Sequence, residues 1–141
     1  MRVADYMTSE PVSVTEDMTM KDAVELLRQH RIRHLPVVQG RVLVGIVSDR
    51  DIRKASPSLL SGVDMSEYEE VLGNTPISRV MTREPFTVTA DTELRDAVQL
   101  ILDKRVGALP VVNGKELIGI FTDSHGLSVL VKMLSHVPQQ T

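Results

Sequence analysis

Two short strings hold most of the side chains in this chain that could do chemistry. They are Gly45-Ile46-Val47-Ser48-Asp49-Arg50-Asp51 and Gly119-Ile120-Phe121-Thr122-Asp123-Ser124-His125. Each sets a hydroxyl within three residues of an acid or an imidazole. A hydroxyl becomes a nucleophile only beside a base, and acid–base work needs a matched pair. Ser48 has no His in its own string, and the sequence holds no Walker loop, GxSxG or HExxH. The four His are dispersed with no Cys/His cluster, and there is no Cys at all. Zinc-thiolate sites, disulfides and thiol nucleophiles are thereby excluded. No catalytic residue, no metal ligand and no required cofactor is expected. Asp49 and Asp51 have a simpler reading as acids in the first turn of a helix, where the dipole stabilises them.

The elements that hold these strings occur twice. Shifting the sequence by 74 positions lays residues 3–53 on 77–127 without a gap, with roughly 21 of 51 positions identical. Met7-Thr8 falls on Met81-Thr82, and Glu10-Pro11 on Glu84-Pro85. Leu35-Pro36-Val37-Val38 falls on Leu109-Pro110-Val111-Val112, and Gly45-Ile46 on Gly119-Ile120. Within a unit, Val12-Ser13-Val14-Thr15 alternates and predicts a short strand. Asp17, echoed by Asp91, is a candidate N-cap, with Thr19 and Asp22 as a competing capping pair. Met20, Ala23, Val24 and Leu27 recur at helical spacing, as do Leu94, Ala97, Val98 and Ile101. The helix closes near His30-Arg31, a cationic end that suits the dipole.

Leu35–Val38 then reads as a buried strand with Pro36 at its start or on an edge. Gln39-Gly40 and Asn113-Gly114 read as tight turns, and Val42–Val47 as the return strand. A short helix follows from Ser48-Asp49. The order is β-α-β-β-α, twice, with a parallel, right-handed crossover around each long helix. Residues 56–76 carry Pro57, Gly62, Gly73 and Pro76 and read as a loop with a small helix capped by Ser66 and Glu69. A specific contact of that segment with a partner is the other reading. The tail after Leu127 extends the last helix.

Composition sets further limits. A unit of about 50 residues buries little core alone, whereas two packed together suffice. Aromatics make up only 3% with no Trp, so the core must be aliphatic. Net charge is −3 with no basic run, which argues against nucleic acid or an anionic membrane as partner. No apolar run approaches the ~18 residues of a membrane span, and Met1–Asp5 does not read as a signal peptide. A cytoplasmic location is the expectation.

The doubled Leu-Pro-Val-Val strand, the x-Gly turn and Gly-hydrophobic-hydrophobic-Ser/Thr-x-x-Asp together resemble the CBS domain family, whose tandem pair is called a Bateman module. The resemblance implies an α/β fold of the α+β type, a stand-alone tandem of β-α-β-β-α repeats with pseudo-two-fold symmetry. Residues 1–141 would form one domain: repeat one at 3–55, a connecting segment at 56–76, repeat two at 77–130 and a helical tail at 131–141. It also implies that each ligand cleft is shared between repeats. In family members that bind AMP, ATP or related adenosyl ligands, the last Asp of the motif, here Asp51, grips the ribose. An ionised carboxylate accepts two hydroxyl donors at once, as a vicinal diol requires.

The implied primary cleft sets Ile46, Ser48, Arg50 and Asp51 against the Thr82–Phe86 stretch, chiefly Thr82 and Pro85, and against Val106, Gly107, Ala108 and Pro110. Gly107 and Ala108 are small and would leave a slot for a purine. The secondary cleft would combine Thr8, Thr122 and His125 with Arg33 and His34, residues the family uses for phosphate. Arg33 and His34 could equally be a solvated strand entry. Because His125 replaces the carboxylate, this cleft is expected to be weak, empty, or used by phosphate or another anion. The function implied is a regulatory, energy-sensing module for an adenine nucleotide, a homodimer in a flat four-repeat disc that signals occupancy to an unknown protein partner. The alternative is a ligand-free dimerisation or interaction scaffold.

Overall fold

Local chemistry sets where each long helix starts and stops. In the computed structural model, which describes residues 1–138, helix α1 spans Met20–His30. Thr19 Oγ1 accepts from the Asp22 amide, and the Asp22 carboxylate accepts from the Thr19 amide. This reciprocal box satisfies two otherwise orphaned first-turn donors. Asp17, the other candidate cap, is instead bonded by the Thr15 hydroxyl. Helix α4 (Leu94–Lys104) has Glu93 at its N-cap, with no side-chain bond. Asp91 does not cap it, and the Leu94 amide donates to the Met1 carbonyl. Both helices end on an arginine in the left-handed region, Arg31 at φ 54° and Arg105 at φ 55°.

Strands β2 (His34–Gln39) and β3 (Val42–Ser48) form an antiparallel hairpin, as do β5 (Ala108–Asn113) and β6 (Glu116–Thr122). The turn residues are Gly40-Arg41 and Gly114-Lys115, one position later than expected. Gln39 and Asn113 are the last strand residues, paired with Val42 and Glu116. Only the glycines have positive φ, 61° and 64°, which fits a turn needing a left-handed residue at its first central position alone. Val12–Thr15 is reduced to one parallel bridge, Val14 to Val37, so the parallel pairing holds while the strand does not extend. Pro36 and Pro110 are fully buried within their strands.

Two further strands had no sequence signal. Strand β1 (Thr8–Ser9) pairs antiparallel with β6 of the other repeat, and β4 (Thr82–Arg83) pairs with β3. The crossings need glycine beneath them. A Cβ on Gly45 would lie 2.7 Å from the Thr82 carbonyl oxygen, and one on Gly119 would lie 2.9 Å from that of Thr8. The two hairpins meet at Val42–Glu116 to complete one sheet.

The remaining helices are α2 (Asp49–Ala55), α3 (Met65–Asn74) and α5 (Asp123–Ser135). Helix α3 is capped by Asp64 rather than Ser66, and its ten residues exceed the expected turn or two. It lays Tyr68 and Leu72 against the first core. The expected tail at 131–141 is helical through Ser135, and residues 139–141 lie outside the described residues.

Each repeat has its own core, aliphatic as expected except for the fully buried ring of Phe121 in the second. Met20, Ala23, Leu27, Leu35, Val37 and Val47 anchor one, and Leu94, Ala97, Ile101, Leu109, Val111 and Phe121 the other. The entering segments are exchanged. Ile77 is buried in the first core, its amide bonded to the Met18 carbonyl at 2.7 Å; Val3 is buried in the second, bonded to Thr92 at 2.9 Å. The packing units therefore differ at their entries from the repeat limits of 3–55 and 77–130, which follow the copied segment rather than its neighbours. The result is an α+β fold with pseudo-two-fold symmetry.

Candidate functional site: two reciprocal clefts

Because β4 lies on β3, Thr82 stands opposite Ile46, two residues before Ser48. Ser48 is the N-cap of α2: its Oγ accepts from the Asp51 amide, while Asp51 Oδ2 accepts from the Ser48 amide at 2.9 Å. The capping box holds Asp51 beside the cleft. Oδ2 is engaged, and among the described residues Oδ1 has no hydrogen-bond partner. A cavity of about 480 Å³ opens there. It brings together Ile46, Ser48, Arg50 and Asp51 from one repeat with Thr82, Pro85, Val106, Gly107 and Ala108 from the other.

Pro110 is not among the lining residues. It sits in the sheet opposite Ile120, buried between the layers. The slot expected beside Gly107 is also different. His34 fills it, since a Cβ on Gly107 would lie 2.8 Å from both Cε1 and Nε2 of that ring. The open space adjoins Val106 and Ala108.

The second cleft mirrors the first and measures about 340 Å³. Thr8, Arg33, His34, Thr122 and His125 all line it. His125 takes the place of Asp51 in the capping box, with Nδ1 accepting the Thr122 amide at 2.9 Å. An amide only donates, so the ring proton sits on Nε2, 3.1 Å from Thr8 Oγ1. The ring also stacks on Phe121 with centroids 5.7 Å apart. Burial lowers the His125 pKa below the ordinary imidazole value, partly offset by Asp123. Burial likewise lowers that of His34, against the raising effect of Asp123, Asp49 and Asp51.

The clefts share a wall. Arg33, His34 and Asp123 line both. Arg33 Nη2 lies 3.5 Å from Asp123 Oδ1 and 3.4 Å from Ser124 Oγ. Arg105 in the first cleft, and His30 with Arg31 in the second, were missed as site residues. Their signal was present: each ends the long helix just before the strand that walls the cleft. The His30-Arg31 end was read only as a partner for the helix dipole, and Arg105 was not singled out. His30 and His34 are four apart, but the chain leaves the helix at Arg31, so they share no helical face. Among the described residues no group of three or more His, Cys, Asp or Glu is placed to hold a metal.

Two interleaved units with reciprocal clefts define a paired-repeat module. The chain belongs to the CBS domain family, whose model matches at residues 3–58 and again at 77–132. It is similar to the CBS domain-containing protein YhcV of Bacillus subtilis, 35% identical over 118 residues, covering 84% of this chain and 77% of that protein. CBSX2 of Arabidopsis thaliana superposes with a TM-score of 0.80 at 28% identity, covering 96% of this chain and 98% of that one. CBSX2 in complex with AMP gives 0.77 at 29%, covering 94% and 98%. The chain is thus a CBS pair.

Proposed function

We propose that the chain is a non-catalytic, cytoplasmic regulatory module that binds an adenine nucleotide, AMP, ADP or ATP, or a related adenosyl ligand in the primary cleft. The observation that carries this reading is the convergence of Asp51 and Ser48 with Val106, Ala108, Thr82 and Pro85 around one purine-sized cavity. The capping box leaves one Asp51 oxygen for a sugar hydroxyl, and Arg33 stands at the wall shared with the second cleft, placed for a phosphate. CBSX2, at 29% identity, was solved in complex with AMP, which supports the ligand class. His34 yields or turns when a purine enters.

Because the cleft joins two repeats, occupancy favours one arrangement of them, and a partner that distinguishes arrangements senses the ligand. The partner is a protein rather than nucleic acid or membrane; among the described residues no helix is long and apolar enough to cross a membrane. The module is a homodimer, for which the exposed apolar side chains of α5 are the support.

Calorimetric titration with AMP tests the reading. Asp51→Asn keeps the cap acceptor and Asp51→Ala removes it, so the pair separates folding from binding. Both should weaken AMP by about 2–3 kcal/mol, the size expected for a charged hydrogen bond. No heat at millimolar AMP for the native chain would leave the ligand-free scaffold as the reading. Unchanged affinity in both variants would move the site elsewhere.

A further inference from the structure

His34 stands where the two clefts meet, with its ring in the slot beside Gly107. A Cβ on that glycine would lie 2.8 Å from both Cε1 and Nε2, so the imidazole rests directly on the backbone. The chain on either side is pinned. The Arg33 carbonyl accepts the Asp49 amide at 3.0 Å, and the Gly107 carbonyl accepts the Asp123 amide at 2.9 Å. Only the ring is free to open the slot. Among the described residues neither ring nitrogen has a hydrogen-bond partner, so fit alone holds it there. The same side chain borders the second cleft, a space of about 340 Å³ into which rotation about χ1 can carry it. The contact is one-sided. At the repeat offset His34 corresponds to Ala108 and Gly107 to Arg33, so repeat two has no ring to return it.

We propose that His34 is a gate on the primary cleft: an autoinhibitory plug that closes the slot in the empty protein, turns out when an adenosine group enters, and opens more readily in acid. The gate rests on the reading of that cleft as an adenosyl site and adds its regulation. A plug lowers apparent affinity by the fraction of molecules in which the slot is open. It leaves the Asp51 carboxylate and the Ser48 cap untouched, because those groups are held by their own capping box.

The acid response follows from where the ring sits. In the slot it is neutral, because burial holds its pKa below the ordinary imidazole value. The charges acting on it are Asp123 of α5, its neighbour Arg33, and Asp49 and Asp51 of α2. Glu84 and Arg105 line the same cavity from the other repeat. Turned out into water, the ring regains a value near about 6.5. Below that pH the filled protein therefore binds more protons than the empty one, and binding tightens as pH falls through about 6.5. A charged ring also leaves the slot unaided, since water and the Asp123 carboxylate solvate it better than the face of Gly107 does.

Adenosine is the probe, since it has no phosphate to titrate or to be gripped by an imidazole. It is titrated calorimetrically into the native chain, His34→Ala and His34→Phe between about pH 7.5 and 5.5. Native affinity should rise several-fold across that range, with heats in two buffers of different ionisation enthalpy showing proton uptake. His34→Ala removes the plug and should bind roughly three- to tenfold tighter at about pH 7.5, with the pH dependence gone. His34→Phe keeps a plug that cannot charge and should bind more weakly than the native chain at every pH. Amide spectra report whether each variant is folded, and the shifts should fall at Asp51 and Ala108. Adenosine binding to the native chain with His34→Ala no tighter, or weaker, overturns the gate and leaves the Asp51 reading standing. So does a pH dependence that survives in both variants. No binding to the native chain or to His34→Ala at millimolar adenosine sinks the adenosyl reading, and the gate with it.

Discussion

His34 and His125 set the protein's response to acid. Each has a folded-state pKa below its unfolded value, chiefly through burial. Below about 6.5 the unfolded chain therefore binds more protons than the folded one, and stability falls as pH drops through that value. Calorimetric Tm should be flat above neutrality and decline between about pH 7 and 5.5, before most carboxylates titrate. The double variant His34→Gln, His125→Gln should flatten the decline, with Gln able to keep the capping box at position 125. An equal decline in both proteins would assign the acid sensitivity to other groups. At this scale the sequence was partly legible. The motif named Ser48, Asp51, Thr122 and His125, but not that the Asp51 carboxylate and the His125 ring both accept their own cap's amide. Nor could it show the His34 ring against Gly107, because that contact joins residues 73 positions apart through the fold.

The crossing strands β1 and β4 depend on the glycines beneath them. A Cβ at position 45 meets backbone, which cannot swing aside, so Gly45→Ala should destabilise by about 1–3 kcal/mol in urea unfolding. Gly73→Ala is the matched control. It lies in helix α3 with open space around its would-be Cβ, and should be neutral or stabilising by up to about 1 kcal/mol. If the two substitutions behave alike, the close approach is not what the motif glycine serves. Helices and hairpins were legible because their signals are local: periodicity, capping pairs and a Gly in the turn. The two-residue strands were not, since two residues carry no period. Their partners lie on the other repeat.

Across the whole molecule the pseudo-symmetry breaks on the helical face. In repeat one, α3 lies over α1 with Tyr68 and Leu72. In repeat two nothing within the described residues covers the equivalent face. Leu102, Leu127, Leu130 and Val131 are 67%, 61%, 47% and 63% exposed. Leu127, Leu130, Val131 and Leu134 follow helical spacing along α5 and make an exposed apolar stripe, the face on which the proposed homodimer would pack. The expected disc engages both repeats equally, whereas these side chains favour contact through α4 and α5. Light scattering should give a dimer for the native chain and a monomer for Leu130→Glu. A monomeric native protein would remove the dimer from the functional reading.

By itself the sequence determined the repeat, the order of its elements, a core aliphatic but for Phe121, and the two strings that border the clefts. Each is written in local spacing or in similarity within one chain. Tertiary structure alone decided that Val3 and Ile77 exchange cores, that β1 and β4 cross to the opposite repeat, and that three arginines and histidines missed at helix ends or strand starts wall the clefts. Those outcomes depend on packing between segments far apart in the sequence, where burial and steric fit, not the pattern along the chain, select the partner.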